Sequence, residues 1–416
     1  MGVAVPSTFY SIGDLTAVAN ALSAMYQHQN SDGSFPEAGP PLLQQGSDTY
    51  HMWSMIGTYN YILFTNDTSF LTARWTNYTR AMNYIYNKVL PAPSGLLNVT
   101  GTRDWARWQQ GFNNTEANFI LYRTLITGSQ LASWQGYDSV AANWTSLAAT
   151  LMTNINYWCY DTSYGAFKDN ATDTSLHPQD ANSFSILFNA TSLSRAESIA
   201  DKLVVNWTPI GPNSPELPNN ISPFITSFEL QARFSISDTS RALTLLRNTW
   251  GWYLNNSNGT KSTVIEGYRT NGTFGYRAER GYDYDYSYPS HAHGWSSGPT
   301  SALTNFVAGI RIADRAGSRW EVAPQFGDLR FASAGFTTIL GKFQASWVVL
   351  GEGGYNLTVS TPKGTTGDLV LPVLAKGRVP SVVVNGQRKS CVLTTVGYSE
   401  GATLTLSGGD YIINVR

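Results

Sequence analysis

The chain is short of charge, of cysteine and of long apolar runs, and each shortage closes off a class of function. Charged residues are 13% of the 416 positions, against ~25% in a typical soluble domain. They nearly cancel, to a net charge of −1. With no basic or acidic tract, nucleic acid and anionic membranes are disfavoured as partners. No apolar stretch approaches the ~20 residues of a membrane-spanning helix. The two cysteines, Cys159 and Cys391, lie far apart, and sequence alone leaves open whether they pair. His-Glu-x-x-His, a Gly-rich phosphate loop and Gly-x-Ser-x-Gly are all missing. His291 and His293 have no cysteine or third clear ligand nearby. Metal, nucleotide and serine-hydrolase chemistry are therefore disfavoured, and no cofactor is expected.

What the chain has in quantity is aromatic surface and asparagine. Aromatics are 13% of residues, with 13 Trp and 23 Tyr. Such rings fill cores, and they also suit sugars, offering an apolar plane with a polar edge. Asn-x-Ser/Thr sequons begin at 13 positions: Asn66, Asn77, Asn98, Asn113, Asn143, Asn170, Asn189, Asn206, Asn220, Asn255, Asn258, Asn271 and Asn356. That density points to a secreted eukaryotic glycoprotein. Met1 to Pro6 has no basic region and too little apolar sequence for a signal peptide. The expectation is that the start of a longer protein is missing.

At this length two domains are expected. Over residues 1–318 apolar residues recur at helical spacing, predicting helices near 14–28, 49–64, 69–89, 115–131, 137–157, 192–205, 222–236, 239–252 and 300–316. Short turns alternate with long loops rich in aromatic and acidic residues. Helical hairpins of this kind can close into an (α/α)6 toroid with the long loops at one end; an open α-superhelix is the alternative. No strict repeat is visible. Over 319–416 the period changes to two, with glycine-rich turns, which predicts a small antiparallel β-sandwich acting as a structural cap.

One stretch, Thr263 to Pro299, concentrates the candidate chemistry. Glu266 stands alone in an apolar run. Tyr282, Tyr284, Tyr286 and Tyr288 then alternate with Asp283 and Asp285, ahead of His291, His293 and Trp295. A carboxylate, imidazoles and flat rings suit a pocket that holds and hydrolyses a sugar; a polar, Tyr-rich surface loop is the plainer reading. Glycoside hydrolysis commonly uses two carboxyl groups. Candidates are Asp48, Asp104, Glu116, Glu266, Asp283 and Asp285. Glu266 follows Val264 and Ile265, an apolar wall able to tune it, although pairing with Arg269 would also explain it. Asp48 also fits a helix cap, Asp104 a surface pair with Arg103, and His293, beside Gly294, a structural histidine.

Five segments resemble the catalytic and C-terminal portions of fungal and bacterial α-L-rhamnosidases of the six-hairpin glycosidase class. They are Asn30 to Pro36, Gly46 to Trp53, Asp104-Trp105, the Glu266 segment, and His291-Ala-His-Gly-Trp-Ser-Ser-Gly-Pro299, in the family's order. The resemblance implies a pocket for a terminal rhamnose, hydrolysed with inversion and without a cofactor. It implies Glu266 as general base, with Asp48, Trp53, Asp104, Trp105 and His293 contacting substrate. It also implies a general acid in an acidic motif before a Gly-Asp pair. Met1 to Pro6 looks like the residues just after that pair, so the acid and the upstream β-domains are expected to lie outside this chain. Lower activity is the corollary. A non-catalytic sugar-binding protein, another toroid glycosidase and a polysaccharide lyase are the alternatives.

Overall fold

The computed structural model describes residues 1–416 apart from 109, 174, 352–353 and 373–379. Its first part is a closed double ring of helices. The inner ring runs α1 (Ala4–Ser11), α3 (Asp48–Thr65), α5 (Thr115–Trp134), α7 (Gln179–Leu187), α9 (Pro223–Ser235) and α12 (Gly298–Ala302). Each packs on the next, and α12 packs back on α1. The outer layer is α2 (Thr16–Gln27), α4 (Thr68–Tyr86), α6 (Asp138–Trp158), α8 (Leu193–Val204) and α10 (Thr239–Leu246). The last of these continues through a wider turn, Arg247–Gly251, into α11 (Trp252–Asn255). The hairpins thus close into a toroid rather than an open superhelix.

The two layers are built from different sequence patterns. Outer α8 buries Ala196, Ile199, Ala200 and Leu203 along one face, the i, i+3, i+4, i+7 spacing of a surface helix. Inner α7 is buried from Gln179 to Ile186, polar residues included, because it has neighbours on every side. Short turns lead from inner to outer helices, as at Asn66, whose φ of 57 ends α3, and at Asp67, which accepts the Phe70 N–H and caps α4. Returning connections are long and precede the N-termini of α3, α5, α7, α9 and α12, so they gather at one rim. That rim carries the candidate site.

The helix expected over 300–316 ends early. Gly309, at φ 85, turns the chain, and a side chain there would collide with the backbone at Pro324. Ile310–Ile312 then forms a strand, ahead of the 318/319 division expected from sequence. A five-stranded sheet runs Val392–Val396, Ser399–Ser407, Thr366–Pro372, Arg319–Val322, Ile310–Ile312. A six-stranded sheet runs Gln387–Lys389, Val382–Val384, Asp410–Val415, Tyr355–Ser360, Gly341–Val349, Phe331–Thr338. Pairing is antiparallel except between Thr366–Pro372 and Arg319–Val322, which run parallel. One continuous core joins toroid and sheets. Phe9 packs on Phe336, and Trp347 Nε1 donates to Val307 O at 2.7 Å. A cavity of about 590 Å³ remains at this junction, lined by Phe234, Phe306, Arg311, Glu321, Phe326 and Tyr398 among others. None of its lining residues belongs to the group around Glu266.

Candidate active site

Glu266 lies where two arms of the long loop before α12 are zipped together. Its N–H donates to Ser290 O at 2.7 Å, and the His293 N–H donates to Val264 O at 2.9 Å. Ser296 Oγ donates to Ile265 O at 2.7 Å, and Trp295 Nε1 to Glu266 O at 3.0 Å. The residue is 3% exposed. Its carboxylate accepts from the Tyr282 hydroxyl at 2.6 Å on Oε1 and from the Ser290 N–H at 3.1 Å on Oε2. An aimed, doubly held carboxylate of this kind is what a general base needs.

Tyr282 is therefore the one member of the Tyr-Asp alternation that turns inward. Burial first, and then its bond to Glu266, push its phenol well above the usual range, so it stays a donor. Arg277 lies over its ring at 4.6 Å. Tyr284, Tyr286 and Tyr288 are exposed. Asp283 is exposed in a left-handed turn, and Asp285 accepts from Ser287 within its own turn. The two aspartates thus belong to the loop. The Arg269 partner considered for Glu266 is instead paired with Glu279 at 2.6 Å.

His293 Nδ1 is 3.9 Å from Glu266 Oε2, beyond hydrogen-bond length. Burial lowers its pKa and the Glu266 charge partly restores it. Its ring sits 4.5 Å from that of Trp295, and Trp295 stacks on Phe224 at 4.9 Å. A side chain at Gly294 would meet only Ala4 Cβ, at 3.9 Å, so space is open there. His291 faces elsewhere, against Tyr253 O–H at 2.8 Å and the Phe274 ring.

Across the rim, Asp104 Oδ1 accepts from Thr49 Oγ1 and from the Trp105 N–H, both at 2.8 Å. Charge links this wall to the Glu266 side. Half-buried Tyr50 feels Asp104, Glu37, Tyr276 and Arg277, while buried Tyr276 feels Glu266, Arg277 and Tyr282. Three other expected contacts have partners within the protein. Trp105 is 1% exposed, donates from Nε1 to Asp180 at 3.2 Å and presents no open face. Trp53 stacks on Phe228 at 5.3 Å and is 7% exposed. Asp48 pairs with Lys88 at 2.5 Å and accepts the Thr100 and Gly101 N–H groups. It ties the 88–101 segment to the start of α3, whose cap is Ser47.

Behind Asp104 lies a cluster of which the sequence reading named only Glu116. Arg107 is fully buried; it pairs with Asp169, and its Nε lies 3.0 Å from Asp180 and 3.8 Å from Glu116. Glu216 accepts the N–H groups of Gln179 and Asp180 at 2.9 Å, at the first turn of α7. Arg107 is visible in sequence between Trp105 and Trp108, but its four carboxyls come from separate elements. Among the described residues no group of His, Cys, Asp and Glu is arranged to hold a metal ion.

Two family models match the chain. The bacterial alpha-L-rhamnosidase 6 hairpin glycosidase domain covers residues 1–208, and the bacterial alpha-L-rhamnosidase C-terminal domain covers 309–385. The chain belongs to the bacterial α-L-rhamnosidase family. No curated protein matches it. Solved structures agree on the fold of this rhamnosidase-family chain. An α-L-rhamnosidase from Dictyoglumus thermophilum aligns over 100% of this chain and 46% of its own, at 15% identity and TM-score 0.73. The Streptomyces avermitilis α-L-rhamnosidase complexed with L-rhamnose gives 100%, 38%, 16% and 0.73, and the Aspergillus terreus enzyme 100%, 45%, 16% and 0.73. The chain therefore spans less than half the length of each of these structures.

Proposed function

We propose that this rhamnosidase-family glycoside hydrolase chain forms the base-bearing side of a pocket for terminal L-rhamnose, hydrolysed with inversion. The carrying observation is the Glu266 carboxylate, buried, fixed by Tyr282 and Ser290, and flanked by His293 and Trp295. In this reading Glu266 removes a proton from the attacking water, and Trp295 and His293 contact the sugar. Asp104 accepts from a sugar hydroxyl on the opposite wall. The general acid comes from the segment that, by resemblance, precedes residue 1. An inverting pair is spaced ~6.5–9.5 Å apart around the water, and general-acid help is worth ~10²–10⁴ in rate. Exposure of sequon residues such as Asn143, Asn189, Asn255, Asn258 and Asn271 supports a secreted glycoprotein, although the Asn220 amide is buried.

Calorimetry with L-rhamnose and turnover of an aryl rhamnoside test the reading together. The chain alone is expected to bind rhamnose with little turnover, and addition of the upstream segment to restore turnover. Glu266→Gln should then remove most of that turnover while leaving binding. Turnover indifferent to Glu266→Gln would refute the assignment. Binding without turnover in the longer protein would favour a sugar-binding role instead.

A further inference from the structure

The carboxyl groups behind Asp104 outnumber the cations that reach them. Asp169, Asp180, Glu116 and Glu216 surround the single guanidinium of Arg107, and all five residues are at most 1% exposed. Three of the carboxyls have donors. Asp169 takes Arg107. Asp180 takes the Trp105 indole and the Ala181 N–H, with Arg107 Nε 3.0 Å away as an ion pair. Glu216 takes the two N–H groups at the start of α7. Glu116 takes none among the described residues: neither of its oxygens has a hydrogen-bond donor there, and Arg107 Nε stops 3.8 Å short. The acidic neighbour of the Glu116 carboxyl in this wall is the side chain of Asp104. Two carboxylates cannot bond each other without a proton, and an unpaired buried charge is the costliest arrangement available.

We propose that Glu116 is a neutral carboxylic acid that donates its proton to Asp104, so that the two form one acid–carboxylate pair in the pocket wall. Burial first, then the charges of Asp104 and Asp180, raise the Glu116 carboxyl well above its ordinary range, with Arg107 opposing. Glu116 is a positioning residue. Its O–H, the Thr49 hydroxyl and the Trp105 N–H together fix the Asp104 carboxylate from three sides. The wall then carries one negative charge rather than two, and Asp104 keeps accepting capacity for a sugar hydroxyl. The use of Asp104 toward a sugar rests on the function proposed above; the protonation of Glu116 does not.

Infrared difference spectroscopy of the full chain at pH 7, wild type minus Glu116→Gln, tests this without substrate. The expected result is loss of one carbonyl band of a protonated carboxylic acid, sensitive to exchange into heavy water. Loss of ionised-carboxylate absorption instead, or no difference, overturns the proposal. If Glu116→Gln fails to fold, Asp104→Asn replaces it. The same band must then shift, and an unmoved band overturns the pairing. Rhamnose affinity gives the second readout. Glutamine, which still donates to Asp104, should preserve it, whereas Glu116→Ala should weaken it on the order of tenfold, as loss of a hydrogen bond to a charged group does. A glutamine variant as weak as the alanine variant overturns the positioning role. If wild type shows the band and binds no rhamnose, the functional reading fails and the protonation stands.

Discussion

Replacing Arg107 by methionine removes the cation that pairs with Asp169 and Asp180 in a site closed to water. Among the described residues no other cation forms an ion pair with either carboxyl. Breaking a buried ion pair from one side costs about 3–5 kcal/mol. The loss has a ceiling, because a stranded carboxylate can take up a proton. For a group of ordinary pKa ~4 at pH 7 that costs roughly 3 × 1.36, or about 4 kcal/mol. We therefore expect a loss of about 4 kcal/mol at pH 7. The sign of its pH dependence follows. The variant's folded state would hold a proton that its unfolded chain releases above pH ~4, so its deficit grows as pH rises. Between pH 5 and 7 the gap to wild type should widen by about 1.4 kcal/mol per pH unit for each carboxyl that stays protonated. Guanidinium unfolding followed by tryptophan fluorescence at both pH values measures it. Lysine keeps the charge but not the fork that reaches Asp169 and Asp180 from different nitrogens, so Arg107→Lys should recover only part. A loss under about 1 kcal/mol at pH 7, or one equal at both pH values, would refute the account of a charged, dry cluster.

Three further outcomes are expected. Buried His51 accepts the Phe35 N–H at 2.9 Å and faces Ala81 O at 3.0 Å, a pairing that needs the neutral ring. Burial lowers its pKa from 6.5 to about 4. Its contribution is thus whole above about pH 6.5 and is lost as pH falls toward 4, by up to about 3 kcal/mol; unfolding midpoints in wild type and His51→Gln should diverge in slope there, and parallel slopes would count against it. Tyr282→Phe deletes the hydroxyl that holds Glu266 Oε1, a bond to a charged group worth about 1.5–3 kcal/mol. If Glu266 is the base as proposed, kcat for an aryl rhamnoside should fall ~10–100-fold with KM nearly unchanged; an unchanged kcat would remove Tyr282 from the positioning of Glu266. Cys159 is buried and Cys391 half-buried, and both are free thiols. Burial raises the Cys159 thiol to about 11 and the Cys391 thiol above its ordinary range. A thiol reagent should modify Cys391 slowly in the native protein and Cys159 only after unfolding; two fast thiols would contradict the packing.

The toroid was readable in sequence where burial is one-sided. Outer α8 and the short caps at Asn66 and Asp67 follow local rules, and Tyr355–Ser360, within the expected period-two region, forms a strand with alternating burial. Inner α7 was not readable. Gln179, Asp180, Asn182 and Ser183 look like loop residues, yet their side chains bond across the ring: Gln179 Nε2 donates to Glu229, and Asn182 Nδ2 to Phe167 O. A helix buried on all sides has no polar face, so periodicity carries no signal. The strand at Ile310–Ile312 was hidden for a similar reason, since its apolar alternation continues that of the helix before it until Gly309 turns the chain.

The same distinction divides the site. Glu266 and His293 are near enough in sequence for their apolar and glycine neighbours to mark them, and the loop's own hydrogen bonds bring them together. The Asp104 wall depends on contacts that only closure of the ring creates. Glu116 sits on the first turn of α5, where sequence offers a helix-terminus carboxylate as readily as a catalytic one. Its environment is decided by Arg107 on the preceding loop, Asp169 on the loop before α7, Asp180 on α7 and Glu216 on the loop before α9. Removing any one of the donors to these carboxyls would change which of them holds the proton. The protonation proposed for Glu116 therefore rests on contacts between separate elements of the toroid, on α5, on α7 and on the loops before α5, α7 and α9, and not on the sequence around Glu116.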